Sequence, residues 1–324
     1  MTVYLVTGAA GFIGYHLAEH LSRDSRNIVI CADNHVRGEQ DSLYRELTAR
    51  TNVTTYDVDL TLPEEVRKLP EQVDYLFHLA ALNGTQNFYQ RPYEVLRHCT
   101  LPAFHLIDYY GRPDSGLKRF VYASTSETYA GTVDSFNWPV PTAEDVPLVI
   151  PDPANPRWSY AASKLHGEVL VHQAGSSKGF PFTIIRYHNV YGPRMGDKHV
   201  MPDFARRLKE GRFELYGYTD TRSFMYIDDA VKATVLCAHE SETSGETVNV
   251  GGTRELSMLE LAEMMMNISG IKGQLELHPS PRGSVSRRAP VIDKLLRLTS
   301  YREEVPLEEG IKRTLDYYLT DERN

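Results

Sequence analysis

Thr7-Gly8-Ala9-Ala10-Gly11-Phe12-Ile13-Gly14 follows directly on a short apolar run, Thr2 to Val6, and opens a stretch with helical apolar spacing, Phe12 to Leu21. The order strand, glycine turn, helix decides the fold. A side chain at Gly8 or Gly11 would hold a diphosphate away from backbone N–H groups and from the positive end of the helix, while Gly14 lets helix and strand approach closely. The spacing therefore points to a dinucleotide, although a tight strand-to-helix turn can use the same glycines. Asp33 ends the next apolar run, 19 residues beyond Gly14. A carboxylate there would accept hydrogen bonds from an adenosine ribose and repel a 2′-phosphate, which favours NAD; Arg37 close behind is the feature that would suit NADP. Asp59-Leu60, past the third strand, is placed to meet the adenine.

Further apolar runs at Ile28 to Ala32, Val53 to Val58, Val73 to Leu79, Phe120 to Ala123 and Phe182 to Ile185 are separated by lengths suited to crossover helices. Alternating strand and helix predicts an α/β fold, a Rossmann-type doubly wound parallel sheet. Residues 1–180 read as the NAD-binding domain. Beyond Arg186, Gly192-Pro193-Arg194, Gly211, Gly217, Pro279, Pro281 and Gly283 interrupt short helices such as Pro202 to Lys209 and Leu259 to Asn267, so residues 181–324 read as a smaller, loop-rich substrate lobe. A helix at Asp228 to His239 and a strand at Thr247 to Val250 are expected to return to the sheet, making 224–252 an interleaved segment.

The 324 residues carry 35 basic and 43 acidic side chains, a net charge of −8. That is the wrong sign for a general nucleic-acid or anionic-membrane binder, so a polyanionic ligand must be met by local groups. No apolar run approaches the roughly 18 residues of a membrane span. Met1 leads straight into the first strand without a signal-peptide pattern, and a cytoplasmic protein is expected. Cys31, Cys99 and Cys237 lie far apart, in keeping with a reducing compartment and no metal site.

Tyr160-Ala161-Ala162-Ser163-Lys164 places a tyrosine and a lysine one helical turn apart on one face. In a chain with 20 tyrosines such a pair arises by chance, and its weight comes from company. The segment Tyr122-Ala123-Ser124-Thr125-Ser126-Glu127-Thr128-Tyr129 leaves the fifth strand at the carboxyl edge, where doubly wound sheets bind ligands. With these stand His78-Leu79-Ala80-Ala81, Arg186-Tyr187-His188-Asn189-Val190-Tyr191-Gly192-Pro193-Arg194, Arg222-Ser223-Phe224 with Asp228-Asp229, and Arg288-Ala289-Pro290. Over nearly its whole length the chain resembles the extended short-chain dehydrogenase/reductase family, specifically its NAD-dependent nucleotide-sugar epimerases, dehydratases and decarboxylases.

The resemblance implies that Gly8, Gly11, Phe12, Ile13, Gly14, Asp33, Asp59, Leu60 and Ala80 hold NAD, together with Tyr160 and Lys164. It makes Tyr160 the base that takes the proton from a sugar 4-hydroxyl, with Thr125 hydrogen-bonding the same oxygen. A free tyrosine, with a pKa of about 10, is a poor base at neutral pH, so the lysine ammonium and an oxidised nicotinamide must stabilise its phenolate. Thr125, Ser126, Asn189, Arg194, Arg222 and Arg288 are implied to hold the nucleoside-diphosphate sugar, guanidinium groups being suited to phosphate. Thr125-Ser126-Glu127 looks like the corresponding segment of UDP-glucuronate decarboxylases and of GDP-mannose dehydratases, and Glu127 would serve chemistry at C5 or C6 once C4 is a ketone, or else stand as a salt-bridged residue. Ser126 replaces the acid that deoxythymidine-diphosphate-glucose dehydratases use on the leaving hydroxyl. The segment Gly196-Asp197-Lys198-His199-Val200 is shorter than in the decarboxylases, and Cys99 and His105 stand where the family often has asparagines. The best expectation is a decarboxylase-like enzyme, with a 4-epimerase or 4,6-dehydratase as alternatives and a non-catalytic NAD-binding sensor or scaffold as the reading from another class. A homodimer is implied, paired through helices carrying Leu96 to Tyr110 and Tyr160 to His172.

Overall fold

The computed structural model describes residues 1–197, 199–280 and 285–320; Lys198, Pro281 and Gly283 of the sequence reading lie outside the described residues. Seven parallel strands form the central sheet: β1 (Thr2–Thr7), β2 (Asn27–Asp33), β3 (Val53–Asp57), β4 (Tyr75–His78), β5 (Arg119–Thr125), β6 (Phe182–Tyr187) and β7 (Glu246–Val250), in the order β7-β6-β5-β4-β1-β2-β3. The chain winds outward from β1 to β3 and returns to the other side of β1 with β4. A crevice therefore opens at the carboxyl ends of β1 and β4, where their side-by-side register ends at Thr7 and His78.

Side chains alternate between two cores, as the period of an extended chain requires. Tyr4, Val6, Cys31, Phe77 and Val121 face one, and Leu5, Ile30, Leu76, Phe120 and Tyr122 face the other. Helix α1 (Phe12–Ser22) covers the first face; α2 (Pro92–Tyr110) and α3 (Ser159–Lys178) pack together on the second. Each buried Leu, Val or Phe contributes roughly 1.5–3 kcal/mol. The remaining main helices are α4 (Val200–Lys209), α5 (Ile227–His239), α6 (Met258–Ser269) and α7 (Leu307–Thr320). Phe204, Leu261 and Ile311 from α4, α6 and α7 join the same core as Val6 and Val121, so the later part of the chain shares a core with the sheet. Helix α6 starts at a capping box, in which Glu260 N–H donates to Ser257 Oγ at 3.1 Å and Ser257 N–H to Glu260 Oε2 at 2.7 Å.

Strand β7, expected from Thr247, begins at Glu246 and pairs with β6. The stretch Thr132 to Asp152 is tied to the later part of the chain at Thr142. Thr142 N–H donates to Ala289 O at 2.9 Å and Val291 N–H donates to Thr142 O at 2.9 Å, which fixes the chain on both sides of Pro290. A buried polar network closes the same region. Ser124 donates to Glu168 Oε1 at 2.5 Å, and Arg186 grips both Glu168 oxygens at 2.9 and 2.6 Å and donates to Tyr129 Oη at 2.7 Å. Tyr129 in turn donates to Asn249 Oδ1 at 2.8 Å. A satisfied network of this kind fixes one arrangement, because each member stranded alone in the interior would be costly. It holds β5, β6, β7 and α3 in register, and so places Thr125 and Tyr160. Among the described residues no helix is long and apolar enough to cross a membrane.

Candidate active site

One cavity of ≈ 820 Å³ runs along the carboxyl edge of the sheet, from Asp33 and Asp59 past Ala80 to Tyr160, Asn189 and Arg288. Its first half is built from backbone. Gly8 stands at φ +72°, and a Cβ there would lie 2.8 Å from Ala80 N; a Cβ at Gly14 would lie 2.1 Å from Gly8 O. Gly11 caps α1 without any side-chain hydrogen bond, so the first amides of the helix face the cavity where Phe12 and Ile13 line it. Asp33 sits at the rim with its carboxylate accepting from Ala10 N–H at 2.9 Å and His35 N–H at 2.8 Å. Glycines too crowded for any side chain, uncapped helix amides and an oriented carboxylate form a cradle that fits a dinucleotide.

Asp59 and Leu60 line the same end. Asp59 Oδ1 already accepts from Thr61 N–H at 2.9 Å and Thr61 Oγ1 at 2.8 Å. Burial raises its pKa, but the Thr61 hydrogen bonds outweigh that and hold it below the usual value. Arg37 lines the cavity as well, and burial lowers its pKa against the smaller opposing influence of Tyr160 and Cys99.

At the centre, Tyr160 and Lys164 rise from the first turns of α3. The ring of Tyr160 is stacked on Phe88 with centroids 5.0 Å apart and planes 9° apart. Burial, followed by the nearby Cys99 and Glu127, raises the Tyr160 pKa. Lys164 Nζ donates to Ala123 O at 2.7 Å and lies 6.0 Å from the Tyr160 ring centroid. Burial lowers the lysine pKa. Thr125 and Ser126 line the cavity opposite, Thr125 Oγ1 accepting from Glu127 N–H at 3.3 Å.

At the far end, Glu127 is held between two guanidinium groups, Arg157 Nη2 at 3.0 Å from Oε2 and Arg288 Nη2 at 2.7 Å from Oε1. Burial would raise its pKa, but Arg288 and Arg157 pull it down to about 2. The two guanidinium groups thus favour its carboxylate form. Asn189, at φ +20°, lines the cavity and donates to Ser223 O at 3.0 Å.

The structure puts two expected substrate residues elsewhere. Arg222 does not line the cavity; it donates to the carbonyls of Thr221 at 2.7 Å and Ser286 at 3.2 Å, and also to that of Val285. Burial, then the charge of Arg288, lowers its pKa to about 10, and its bonds to Val285 and Ser286 brace the chain that leads to Arg288. Arg194 lines the cavity at the dinucleotide end, its Nε 2.6 Å from Asp41 Oδ2 and its Nη2 3.1 Å from Glu39 O. Sequence reading also missed Arg157 and Phe88. Arg157 sits three residues before Tyr160 in Asn155-Pro156-Arg157-Trp158, which reads as a turn, and Phe88 lies on a short helix, Thr85–Gln90, whose sequence carries no apolar periodicity to mark it.

Residues 4–251 match the model of the NAD dependent epimerase/dehydratase family. The chain is 31% identical to the UDP-N-acetyl-alpha-D-glucosaminuronate decarboxylase of Bacillus cytotoxicus, over 97% of each chain. It is 28% identical to the dTDP-D-glucose 4,6-dehydratase of Bos taurus, over 99% of this chain and 89% of that one. The structure of a Bacillus cereus UDP-glucuronic acid 4-epimerase variant with NAD superposes with a TM-score of 0.86 at 26% identity, over 98% of this chain and 99% of that one.

Proposed function

The chain belongs to the NAD dependent epimerase/dehydratase family, and on that premise we propose that it acts on a nucleoside-diphosphate uronic acid, oxidising C4 and releasing C6 as carbon dioxide. The observation that carries this reading is the pair of guanidinium groups on Glu127. Arg157 and Arg288 both pair with Glu127, and Arg288 lines the cavity with it, so guanidinium groups gather at the sugar end of an otherwise acidic protein. Such an end favours a sugar with its own carboxylate over a neutral hexose. The ionised Glu127, with its pKa near 2, is poorly suited to remove a C5 proton, and Ser126 supplies no acid for a departing hydroxyl. The first point weighs against C5 deprotonation by Glu127, and the second against a deoxythymidine-diphosphate-glucose type of dehydratase.

Bound NAD would supply a hydride acceptor at C4 and later return the hydride. Tyr160 takes the proton of the 4-hydroxyl, and Thr125 holds the same oxygen. With C4 a ketone, the sugar is a β-keto acid. The C5–C6 bond breaks, its electron pair passes into an enolate across C4 and C5, and carbon dioxide leaves. A proton is then added at C5 before C4 is reduced. Lys164 Nζ, held by Ala123 O, stands 6.0 Å from the Tyr160 ring centroid, where its ammonium form would favour the phenolate.

A homodimer is part of the same reading. Tyr93, Leu96, Phe104 and Val169 are exposed apolar side chains on α2 and α3, with Tyr93 72% exposed. Their spacing makes a stripe suited to the same stripe of a second copy. Incubation with UDP-, GDP-, CDP- and deoxythymidine-diphosphate sugars, analysed by mass, tests the reaction. Loss of carbon dioxide from a uronic acid is expected; loss of water, or an isomer of unchanged mass, would assign the protein to a dehydratase or an epimerase.

A further inference from the structure

Arg194 is exceptional among the charged residues lining the cavity. Its side chain is 2% exposed, its backbone stands at φ +64°, in the left-handed region that L side chains rarely adopt, and its guanidinium lies 4.1 Å from the Tyr15 ring centroid. Nε is spent on Asp41, and Nη2 on Glu39 O at 3.1 Å and Ala10 O at 3.5 Å. Nη1 is buried and has no hydrogen-bond partner. A buried donor left unpaired on a guanidinium held by three other contacts calls for a ligand.

The surroundings say which one. Ala10 belongs to the glycine turn, Tyr15 to α1, and Glu39 and Asp41 to the segment after Asp33. Every contact of Arg194 is thus with the elements that cradle a dinucleotide. Neither the glycine turn nor the first turn of α1 contains a lysine or arginine, so their amides alone would face two phosphate charges.

We propose that Arg194 is a cofactor residue, its Nη1 donating to the pyrophosphate of the dinucleotide beside the amides of α1. The claim rests on NAD occupying this cavity and on nothing about the sugar.

The test is calorimetric titration of nucleotide-free protein with NAD, ADP-ribose and adenosine. Arg194→Gln is expected to weaken NAD and ADP-ribose at least tenfold, to change adenosine less than twofold, and to flatten the salt dependence of NAD binding. Asp41→Asn, which removes the ion pair but keeps the guanidinium, is expected to hold NAD within threefold. If Arg194→Gln does not fold, Arg194→Lys replaces it, with a smaller loss confined to the two diphosphates. Unchanged NAD affinity, or equal losses for adenosine and NAD, would overturn the proposal and leave Arg194 a structural latch. Failure of the unsubstituted protein to bind NAD would instead count against the cofactor reading of the cavity.

Discussion

The two ends of the cavity are made of different material. At the dinucleotide end the framework is mostly backbone, glycines and helix amides, and even the Asp33 side chain is oriented by the amides of Ala10 and His35. At the sugar end they come from side chains that meet only after folding, Glu127 after β5, Arg157 before α3 and Arg288 far along the chain. A site made of backbone is written in contiguous spacing, because only glycine fits where Cβ would strike a carbonyl. A charge cluster leaves no such trace, since one arginine in a turn reads like any other.

If that contrast is right, substitutions at the centre should stop chemistry without touching the dinucleotide. Tyr160→Phe is expected to lower turnover by about 10²–10⁴-fold, the usual worth of a positioned acid–base group, with NAD affinity little changed in titration. Turnover near the original value would remove Tyr160 from the mechanism. Gly14→Ala should do the reverse. A Cβ 2.1 Å from Gly8 O forces helix and strand apart, and the purified protein should lose bound NAD and melt several degrees lower.

At the sugar end, Arg288→Gln is expected to lower kcat/KM for a uronic acid by about 10–100-fold, the worth of one charge-assisted hydrogen bond, while leaving NAD titration unchanged. Equal losses on uronic and neutral sugars would show that the cluster is structural and would sharpen the contrast in the other direction.

The smallest effect is in pH. His78 and His188 have their pKa values lowered from 6.5 to about 3 by burial. The unfolded chain therefore binds more protons than the folded one between those values, and stability falls as pH drops through that window. Glu127 acts lower down: its lowered pKa adds stability above the ordinary 4.5 that is lost as pH falls toward 2. The melting temperature should thus decline from about pH 7 to pH 5. A flat profile there would mean that these histidines are not buried neutral.

The sheet was readable from sequence because apolar alternation and glycine spacing are local. The strand Thr247 to Val250 was found one residue short, an end effect of pairing with β6. Arg194 and Arg222 were legible as cations but not in their placement. Carbonyls of Thr221, Val285 and Ser286 surround one, and Asp41, Glu39 and Ala10 hold the other; both environments depend on segments distant in sequence. Phe88 was hidden for a related reason, as stacking on Tyr160 is a property of two helices meeting.

The most direct test of the sugar-end account is the fate of the C6 carboxyl of a nucleoside-diphosphate uronic acid isotopically labelled at that carbon. The account predicts that the label leaves as carbon dioxide, at a rate that Arg157→Gln and Arg288→Gln both reduce. Label retained in the sugar, with a neutral hexose turned over in its place, would contradict it.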